Sequence, residues 1–312
     1  MDYRRLGDSG LKVSEIGLGC NNFGMRIDQD ATNAVIDAAI EHGVTFLDTA
    51  DVYGGAGKSE EMMGHALKGK RHQVVLATKF AMPMGKGPDM KGGSRRYVMN
   101  AVEASLKRLQ TDYIDLYQMH APDPDTPVEE TLSALDDLVT QGKVRYIGNS
   151  NYAGWQIADA DWIAKNGHKT RFVSAQNNYS LLERRVEHEV TPACERFGLG
   201  MLPFFPLASG LLTGKYKRGE APAEGTRLAA WGPRGAAALT DHNFDRLEKL
   251  SSWAEERGHD MLDLAFAWLL GHPVVSSVIA GATKPEQVAA NAATAGWKLT
   301  AEEVEEVTKL AA

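Results

Sequence analysis

Four side chains with complementary chemistry lie at the ends of short apolar runs in the first part of the chain. Asp48 ends the run VTFLD, and Tyr53 lies five residues further on. Lys79 lies near the end of VVLATKF, and His120 ends YIDLYQMH. If these runs are neighbouring strands of one closed parallel sheet, their carboxyl ends meet at the edge where such sheets carry functional residues. The sequence therefore predicts one site containing a carboxylate, a phenol, an ammonium group and an imidazole.

The phenol is the group whose chemistry this combination changes most. A free tyrosine has a pKa of about 10 and is a weak acid near neutrality. A cation about 4 Å away favours the phenolate by about 4 kcal/mol at an effective dielectric constant of about 20, or roughly three pKa units. Burial raises the pKa of Tyr53 and lowers that of Lys79, whereas Asp48 keeps Lys79 charged. With His120 bonding a substrate oxygen or relaying a proton to Tyr53, the group suits protonation of a carbonyl oxygen that becomes an alkoxide.

A proton donor of this kind needs a separate source of electrons. No side chain supplies a hydride, so the site implies a nicotinamide cofactor. Ser150, Asn151 and Gln176 end the next two apolar runs, and their amides and hydroxyl suit a carboxamide, which both donates and accepts hydrogen bonds. A Schiff-base aldolase that uses Lys79 is the alternative chemistry, but it leaves those three residues without a role. No metal site is predicted.

Eight apolar runs alternate with helical patterns along the chain. The runs are SEIGLGC, VTFLDT, VVLATKF, YIDLYQMH, VRYIGNS, FVSAQNN, GMLPFFPL and VVSSVIAGA. Continuous apolar residues are typical of strands buried on both faces of a parallel sheet. We therefore predict an α/β fold, a single (β/α)8 TIM barrel domain spanning residues 1–312. The alternative, a doubly wound open sheet, normally has a G-x-G-x-x-G turn after its first strand, and GLGCNNFG does not match that motif.

The helices and the segments outside the repeat follow from local signals. Helices are expected over residues 31–41, 60–67, 96–109, 128–141, 155–165 and 187–197, with two more inside 243–270 and another from Pro285. Asp30 is expected to cap the first helix. Residues 3–14 predict a β-hairpin that plugs the bottom of the barrel, and residues 299–310 predict a terminal helix. Residues 214–240 form a long loop of the kind that serves as a lid.

Bulk composition narrows the class of partner and compartment. The 312 residues are 43% hydrophobic and 24% charged, with a net charge of −7 and no basic block, so nucleic acid is not an expected partner. Cys20 and Cys194 are far apart, the amino terminus is polar, and no apolar stretch is long enough for a membrane span. These features predict a cytoplasmic protein with free thiols and no membrane partner.

Eight stretches along nearly the whole chain resemble the aldo-keto reductase superfamily, in the order in which that family has them. They are GLGCNNFG, FLDTADVYGGAGKSEEMMGHAL, LATKF, YIDLYQMH, VRYIGNSNYAGWQI, AQNNYSLLER, PLASGLLTGKY and VIAGATKPEQVAAN. The resemblance implies a barrel that binds NAD(P)H in an extended pose without a Rossmann domain. It also implies reversible reduction of a small aldehyde or ketone, the reverse reaction being oxidation of an alcohol or sugar.

The family's site residues transfer to matching positions of this sequence. The catalytic tetrad falls on Asp48, Tyr53, Lys79 and His120, with Tyr53 as the acid, Lys79 lowering its pKa, and His120 orienting the carbonyl. The implied cofactor-binding residues are Gly19, Cys20, Asn21, Ser150, Asn151, Gln176, Phe204, Leu207, Gly210, Leu212, Gly214, Lys215, Gly281, Thr283, Lys284, Gln287 and Asn291. Phe204 would lie under the nicotinamide ring.

Two departures from the family pattern bear on the cofactor and the barrel wall. Many members have an arginine near the adenosine 2′-phosphate, where this chain offers only Lys284 and Gln287, and a lysine recognises phosphate less specifically. Because Lys284 can still pair with a phosphate as a point charge, NADP(H) is the expected cofactor, with NAD(H) as the alternative. Asn149 stands where the family commonly has an aliphatic residue.

The substrate side of the site is predicted only in outline. Phe23, Met25, Met84 and Trp231 are the expected walls of the substrate pocket, together with Tyr53. Apolar and aromatic walls of this kind accept many aldehydes, so they do not select a substrate. A second class of function follows from the same resemblance, because the family includes channel-associated β subunits that bind NADPH with little turnover.

Overall fold

Eight parallel strands curl into a (β/α)8 barrel, as the alternation of apolar runs and helices predicted. The computed structural model describes the backbone of residues 1–312 and the side chains of all of them except Arg234. The barrel strands are β3 (Ile16–Gly19), β4 (Phe46–Asp48), β5 (Val75–Phe80), β6 (Ile114–Met119), β7 (Val144–Ser150), β8 (Phe172–Gln176), β9 (Gly200–Met201) and β10 (Val278–Gly281). They pair in the order β10-β3-β4-β5-β6-β7-β8-β9, every neighbour parallel.

The barrel closes between β9 and β10. β9 has two residues and β10 has four, whereas the sequence predicted strands over 200–207 and 274–282. Proline has no N–H to donate to a ladder, and Pro203 and Pro206 interrupt the run after Met201. Parallel bridges from Met201 to Val275 and from Phe204 to Ile279 join the two edges instead.

Helices link the strands, and the longer ones cover the outside of the barrel. They are α1 (Gln29–Glu41), α2 (Tyr53–Ala56), α3 (Lys58–Ala66), α4 (Arg95–Leu109), α5 (Val128–Thr140), α6 (Gly154–Asn166), α7 (Val190–Phe197), α8 (Arg227–Ala230), α9 (Pro233–Ala236), α10 (Asp241–Glu255), α11 (Met261–Leu270), α12 (Pro285–Ala293) and α13 (Ala301–Leu310). The predicted start of the first helix was wrong by two residues. Its N-cap is Asp28, whose carboxylate accepts the Ala31 N–H at 3.0 Å, so Asp30 lies in the first turn. The predicted 214–240 loop contains the two short helices α8 and α9.

The amino-terminal hairpin fills the bottom of the barrel. β1 (Tyr3–Arg5) and β2 (Lys12–Ser14) pair antiparallel. Leu6 and Val13 are fully buried in an apolar cluster with Phe46, Ala77, Leu116, Leu202 and Ile279, which point inward from the barrel strands. This apolar plug closes one end of the barrel, and the polar side chains gather at the other.

Close packing of α3 on α4 depends on Gly64. A Cβ at Gly64 would lie 2.4 Å from the backbone oxygen of Arg108, and 2.9 Å from the carbonyl carbon of Leu109. Backbone atoms cannot yield as a flexible side chain does, so the helices would have to separate.

We expect Gly64→Ala to lower the free energy of unfolding. Overpacking costs about 1–3 kcal/mol and exceeds the gain of about 1 kcal/mol in helix propensity. Denaturant unfolding measures the difference. Gly296→Ala is the control, because a Cβ there meets no heavy atom within 4 Å. Equal stability of the two variants would contradict the packing argument.

Candidate active site

A buried ion pair lies at the open end of the barrel. Asp48 is the last residue of β4, and Lys79 is the penultimate residue of the adjacent β5. The Nζ of Lys79 lies 2.6 Å from Asp48 Oδ2 and donates a second hydrogen bond to the Thr49 carbonyl at 2.9 Å. Lys79 is completely buried and Asp48 is 3% exposed. A charge buried this deeply stays ionised only with a close partner, so each side chain fixes the charge of the other.

A tight turn returns Tyr53 to this ion pair. Gly54, Gly55 and Gly57 all have positive φ, a conformation that glycine adopts without steric cost. A Cβ on Gly54 would lie 2.7 Å from the Phe23 carbonyl oxygen, so the turn also requires a close backbone approach. The Nζ of Lys79 lies 5.1 Å from the centre of the Tyr53 ring.

The phenol remains a protonated acid in this setting. Burial raises the pKa of Tyr53 above its usual value and outweighs the opposing charge and hydrogen bond of Lys79, while Asp48 raises it further. The pKa of Lys79 is raised as well, because Asp48 and Tyr53 together outweigh the effect of burial. The sequence argument gave the correct sign for the influence of Lys79, but its size does not exceed the cost of burying the phenolate.

His120 is a neutral imidazole beside the phenol. It follows the last residue of β6, and its ring packs edge-on against Tyr53 with 5.6 Å between the ring centres. Burial, followed by the charge of Lys79, lowers its pKa from 6.5 to about 3. Its Nδ1 is buried and has no hydrogen-bond partner among the described side chains. A neutral imidazole can still donate one N–H to a carbonyl oxygen.

The second oxygen of Asp48 is held by two glutamines. Gln118 Nε2 donates to Asp48 Oδ1 at 2.9 Å, and Gln176 Nε2 donates to the same oxygen at 3.0 Å. The sequence analysis named Gln176 but not Gln118. Gln118 lies inside the apolar run of β6, two residues before His120, and its inward position on that strand is the signal that was available.

Two further carboxyl groups, those of Glu60 and Asp51, are buried near the turn that carries Tyr53. Glu60 in α3 is fully buried and accepts hydrogen bonds from Thr78 and from Arg108. Asp51 is 1% exposed, and its Oδ2 accepts a hydrogen bond from the Tyr97 hydroxyl at 3.3 Å. Burial and the nearby Glu60 raise the pKa of Asp51 to about 7. The turn that carries Tyr53 therefore contains a carboxyl that prefers to be neutral.

Most of the predicted cofactor residues line one cavity of about 610 Å³, within the usual range for ligand sites. The predicted residues that line it are Gly19, Cys20, Asn21, Asp48, Tyr53, His120, Ser150, Asn151, Gln176, Phe204, Leu207, Gly210, Lys215, Gly281, Thr283, Gln287 and Asn291. Asn151 has a positive φ, and its amide donates to the His120 carbonyl at 2.9 Å and to the Ser150 hydroxyl at 3.1 Å.

Two arginines that the sequence analysis missed also line this cavity. Arg26 follows β3, and Arg227 belongs to α8 in the 214–240 segment. Burial and the nearby Arg26 both lower the pKa of Arg227, and its guanidinium lies 5.3 Å from the Phe205 ring centre. Among the described side chains, neither arginine forms an ion pair with a carboxylate, and Asp48 is the one acidic residue in the lining. With Lys215, the cavity therefore presents three cations to a ligand.

Several predicted residues lie away from the cavity lining. Leu212 is fully buried in the core, Gly214 ends a short 3₁₀ segment, and Lys284 is an exposed residue just before α12. The four expected substrate walls are also absent from the lining formed by the described residues. Phe23 is fully buried in the core, Met25 is 63% exposed, Met84 packs against the core, and Trp231 stacks edge-on with Phe205.

The family model for the Aldo/keto reductase family matches residues 15–312. The chain belongs to that family.

Three relatives show the range of proteins that this chain resembles. It is 42% identical to the uncharacterized oxidoreductase YrpG of Bacillus subtilis, over 92% of this chain and 89% of that protein. It is 39% identical to a probable voltage-gated potassium channel subunit beta of rice, over 93% and 90%. It is 34% identical to L-glyceraldehyde 3-phosphate reductase of Escherichia coli K12, over 93% and 86%. Among the helices that the structure describes, none is both long and apolar enough to cross a bilayer.

We expect Asp51→Asn to stabilise the protein at alkaline pH. Because folding raises the pKa of Asp51 from 3.8 to about 7, the stability that its neutral form provides is present at acidic pH and is lost as pH rises through about 7. The variant keeps a neutral group, so its Tm should exceed that of the wild type at roughly pH 8 and the gap should shrink towards pH 5.

A carboxyl with the opposite shift provides the control. Burial acts to raise the pKa of Asp123, but hydrogen bonds from the Gly93 N–H and the Thr126 hydroxyl outweigh it and lower that pKa. Asp123→Asn should therefore lower the Tm at pH 8. A Tm difference for Asp51→Asn that does not change with pH would refute the argument.

Proposed function

We propose that this protein is an NAD(P)H-dependent reductase of aldehydes or ketones that works reversibly on the corresponding alcohols. One observation carries the proposal. The buried Asp48–Lys79 pair lies next to Tyr53, His120 packs edge-on against Tyr53, and Asp48, Tyr53 and His120 line a cavity of about 610 Å³. Family membership supports the reaction class, and the geometry supports the assignment of the roles.

In this proposal Tyr53 delivers the proton. A nicotinamide bound in the cavity would supply the hydride that reduces the carbonyl carbon. The phenol donates its proton to the carbonyl oxygen, and the positive charge of Lys79 stabilises the phenolate that remains. His120 donates an N–H to the same oxygen and orients it. Because the raised pKa keeps Tyr53 protonated at neutral pH, reduction proceeds there, and alcohol oxidation, which needs the phenolate, increases as pH rises.

The residues around the cavity fit a dinucleotide. Ser150, Asn151 and Gln176 offer a hydroxyl and two amides at the Tyr53 end, which suits a carboxamide. We assign the phosphates to Lys215, Arg26 and Arg227. A cavity lined by three cations without acidic partners favours an anionic ligand over a neutral ligand or none. Thr283, Gln287 and Asn291 are assigned to the adenosine end. We infer NADP(H) as the preferred cofactor, and we assign the adenosine 2′-phosphate to Lys284, an exposed residue outside the cavity lining but next to Thr283, which lines it.

A second candidate function is cofactor binding with little turnover. The similarity to the rice potassium channel subunit beta favours it. Its discriminating property is stoichiometric NADPH binding without reduction of any member of a broad carbonyl panel. The complete tetrad favours the reductase.

We expect Tyr53→Phe to lower kcat for carbonyl reduction at least about 100-fold, the usual contribution of a general acid. Quenching of protein fluorescence by NADPH should show nearly unchanged cofactor binding. Tyr117→Phe is the control, because the Tyr117 hydroxyl is buried without a partner among the described residues and lies outside the cavity. Full turnover in Tyr53→Phe would remove the acid assignment, and no turnover in the wild type would favour the second candidate.

Phosphate contacts are tested by comparing the two cofactors. Arg227→Met should raise Kd for NADPH and NADH alike by about tenfold, because the lost charge-assisted bond would go to a phosphate that both share. Lys284→Met should weaken NADPH alone. Arg218→Met is the control, because Arg218 pairs with Asp241 and Asp245 outside the cavity. Equal Kd values for the wild type and Arg227→Met would exclude this role.

A further inference from the structure

The buried carboxylate of Asp48 is held at both oxygens. Lys79 occupies Oδ2 at 2.6 Å, and the amides of Gln118 and Gln176 both donate to Oδ1, at 2.9 Å and 3.0 Å. A buried carboxylate with an unsatisfied oxygen is costly, and hydrogen bonds to charged groups are among the stronger ones in proteins. The two amides therefore decide where the carboxylate points.

The two glutamines differ in what else they face. Gln176 lines the cavity, and no donor of the described chain reaches its Oε1, so that oxygen is free to accept from a ligand amide. Gln118 is fully buried and does not line the cavity. Its amide nitrogen has one described partner, Asp48. Gln176 Nε2 also donates a longer hydrogen bond to Gln118 Oε1 at 3.4 Å, so Gln118 holds both Asp48 and Gln176, and only Gln176 also faces the cavity.

The barrel wall leaves space for this side chain. Gln118 pairs with Lys79 on β5 and with Gly148 on β7. A Cβ at Gly148 would lie 2.2 Å from the Ser174 hydroxyl and 3.3 Å from Cγ of Gln118. The glycine therefore mainly makes room for Ser174, and it also relieves a tight contact with the Gln118 side chain at the level of the ion pair.

We propose that Gln118 is a positioning residue, which holds Asp48 oriented towards Lys79 and so sets the strength of Tyr53 as an acid, while Gln176 is released to contact the cofactor. The proposal rests on the proposed reductase function for its kinetic consequence. Its electrostatic consequence concerns the free protein. When the amide is lost, the negative charge of Asp48 is less compensated, and that charge raises the pKa of Tyr53.

Gln118→Met tests the proposal, because methionine has nearly the same length and no hydrogen-bond donor. We expect kcat for carbonyl reduction to fall about tenfold with the carbonyl KM changed less than about twofold, since the lost interaction acts on the acid and not on substrate binding. In the protein without cofactor, the absorbance change of the Tyr53 phenolate, taken as the difference from Tyr53→Phe, should move to higher pH.

Gln118→Glu provides an isosteric variant that regains the function conditionally. Its carboxyl lies against Asp48, so the two share a proton at acidic pH, and the protonated side chain donates to Oδ1. As pH rises, the two carboxylates repel and the donor is lost. The activity of this variant relative to the wild type should therefore be highest at acidic pH and fall towards alkaline pH.

Asn149→Leu is the matched control. Asn149 pairs with Met119 on the neighbouring strand, is fully buried, and its amide donates to the Ser174 carbonyl and not to the ion pair. The variant Asn149→Leu should leave kcat, the Tyr53 titration and the pH profile unchanged, whatever its effect on the Tm. Gln118→Met with the kcat and the Tyr53 titration of Asn149→Leu would overturn the proposal, and so would a Gln118→Glu profile parallel to that of the wild type.

The titration of Tyr53 distinguishes a failure of the positioning role of Gln118 from a failure of the proposed reductase function. If the wild type reduces no carbonyl, the reductase proposal fails, and the shift of Tyr53 in Gln118→Met still decides the role of Gln118. If the wild type is active and the Tyr53 titration does not move, only the positioning role fails. If Gln118→Met does not fold, the pH dependence of Gln118→Glu decides the question.

Discussion

The ion pair between Asp48 and Lys79 is the interaction on which the rest of the site depends. Both groups are almost completely removed from water, which costs several kcal/mol per ion unless geometry and hydrogen bonds compensate. The compensation comes from the Thr49 carbonyl, which accepts from Lys79, and from the Gln118 and Gln176 amides, which donate to Asp48. The pair therefore holds a fixed positive charge behind Tyr53.

This constraint also explains the character of the surrounding groups. The same burial that makes the ion pair rigid keeps Tyr53 protonated and His120 neutral. The Tyr53 hydroxyl and a His120 N–H can then both donate to one substrate oxygen, and neither side chain carries a charge. The cavity lining also contains Arg26, Lys215 and Arg227, and these cations favour a negatively charged ligand.

The relatives show that this frame occurs in proteins whose names describe different roles. An uncharacterized oxidoreductase, an L-glyceraldehyde 3-phosphate reductase and a probable potassium channel subunit beta each align with about nine-tenths of the chain. A fold does not by itself decide function, so the distinction depends on the chemistry of the site. In this chain the ion pair, the phenol and the imidazole are all present and mutually in contact range.

The sequence by itself determined the barrel, the hairpin and which side chains stand at the strand ends. It could do so because parallel strands bring their carboxyl ends to one edge, so that the end of each apolar run identifies a residue at the mouth. Local signals located the helices to within a few residues and failed where prolines shortened β9.

Only the tertiary structure decided how those residues act on one another. Gln118 and Gln176 donate to Asp48 from 70 and 128 residues away in the chain. Arg26 and Arg227 are close to each other only because part of the 214–240 segment lines the same cavity. The net direction of the Tyr53 pKa was equally beyond the sequence, since it depends on burial outweighing the charge of Lys79. Residue types and strand order are local properties of the chain, whereas distance and burial exist only after the barrel has closed.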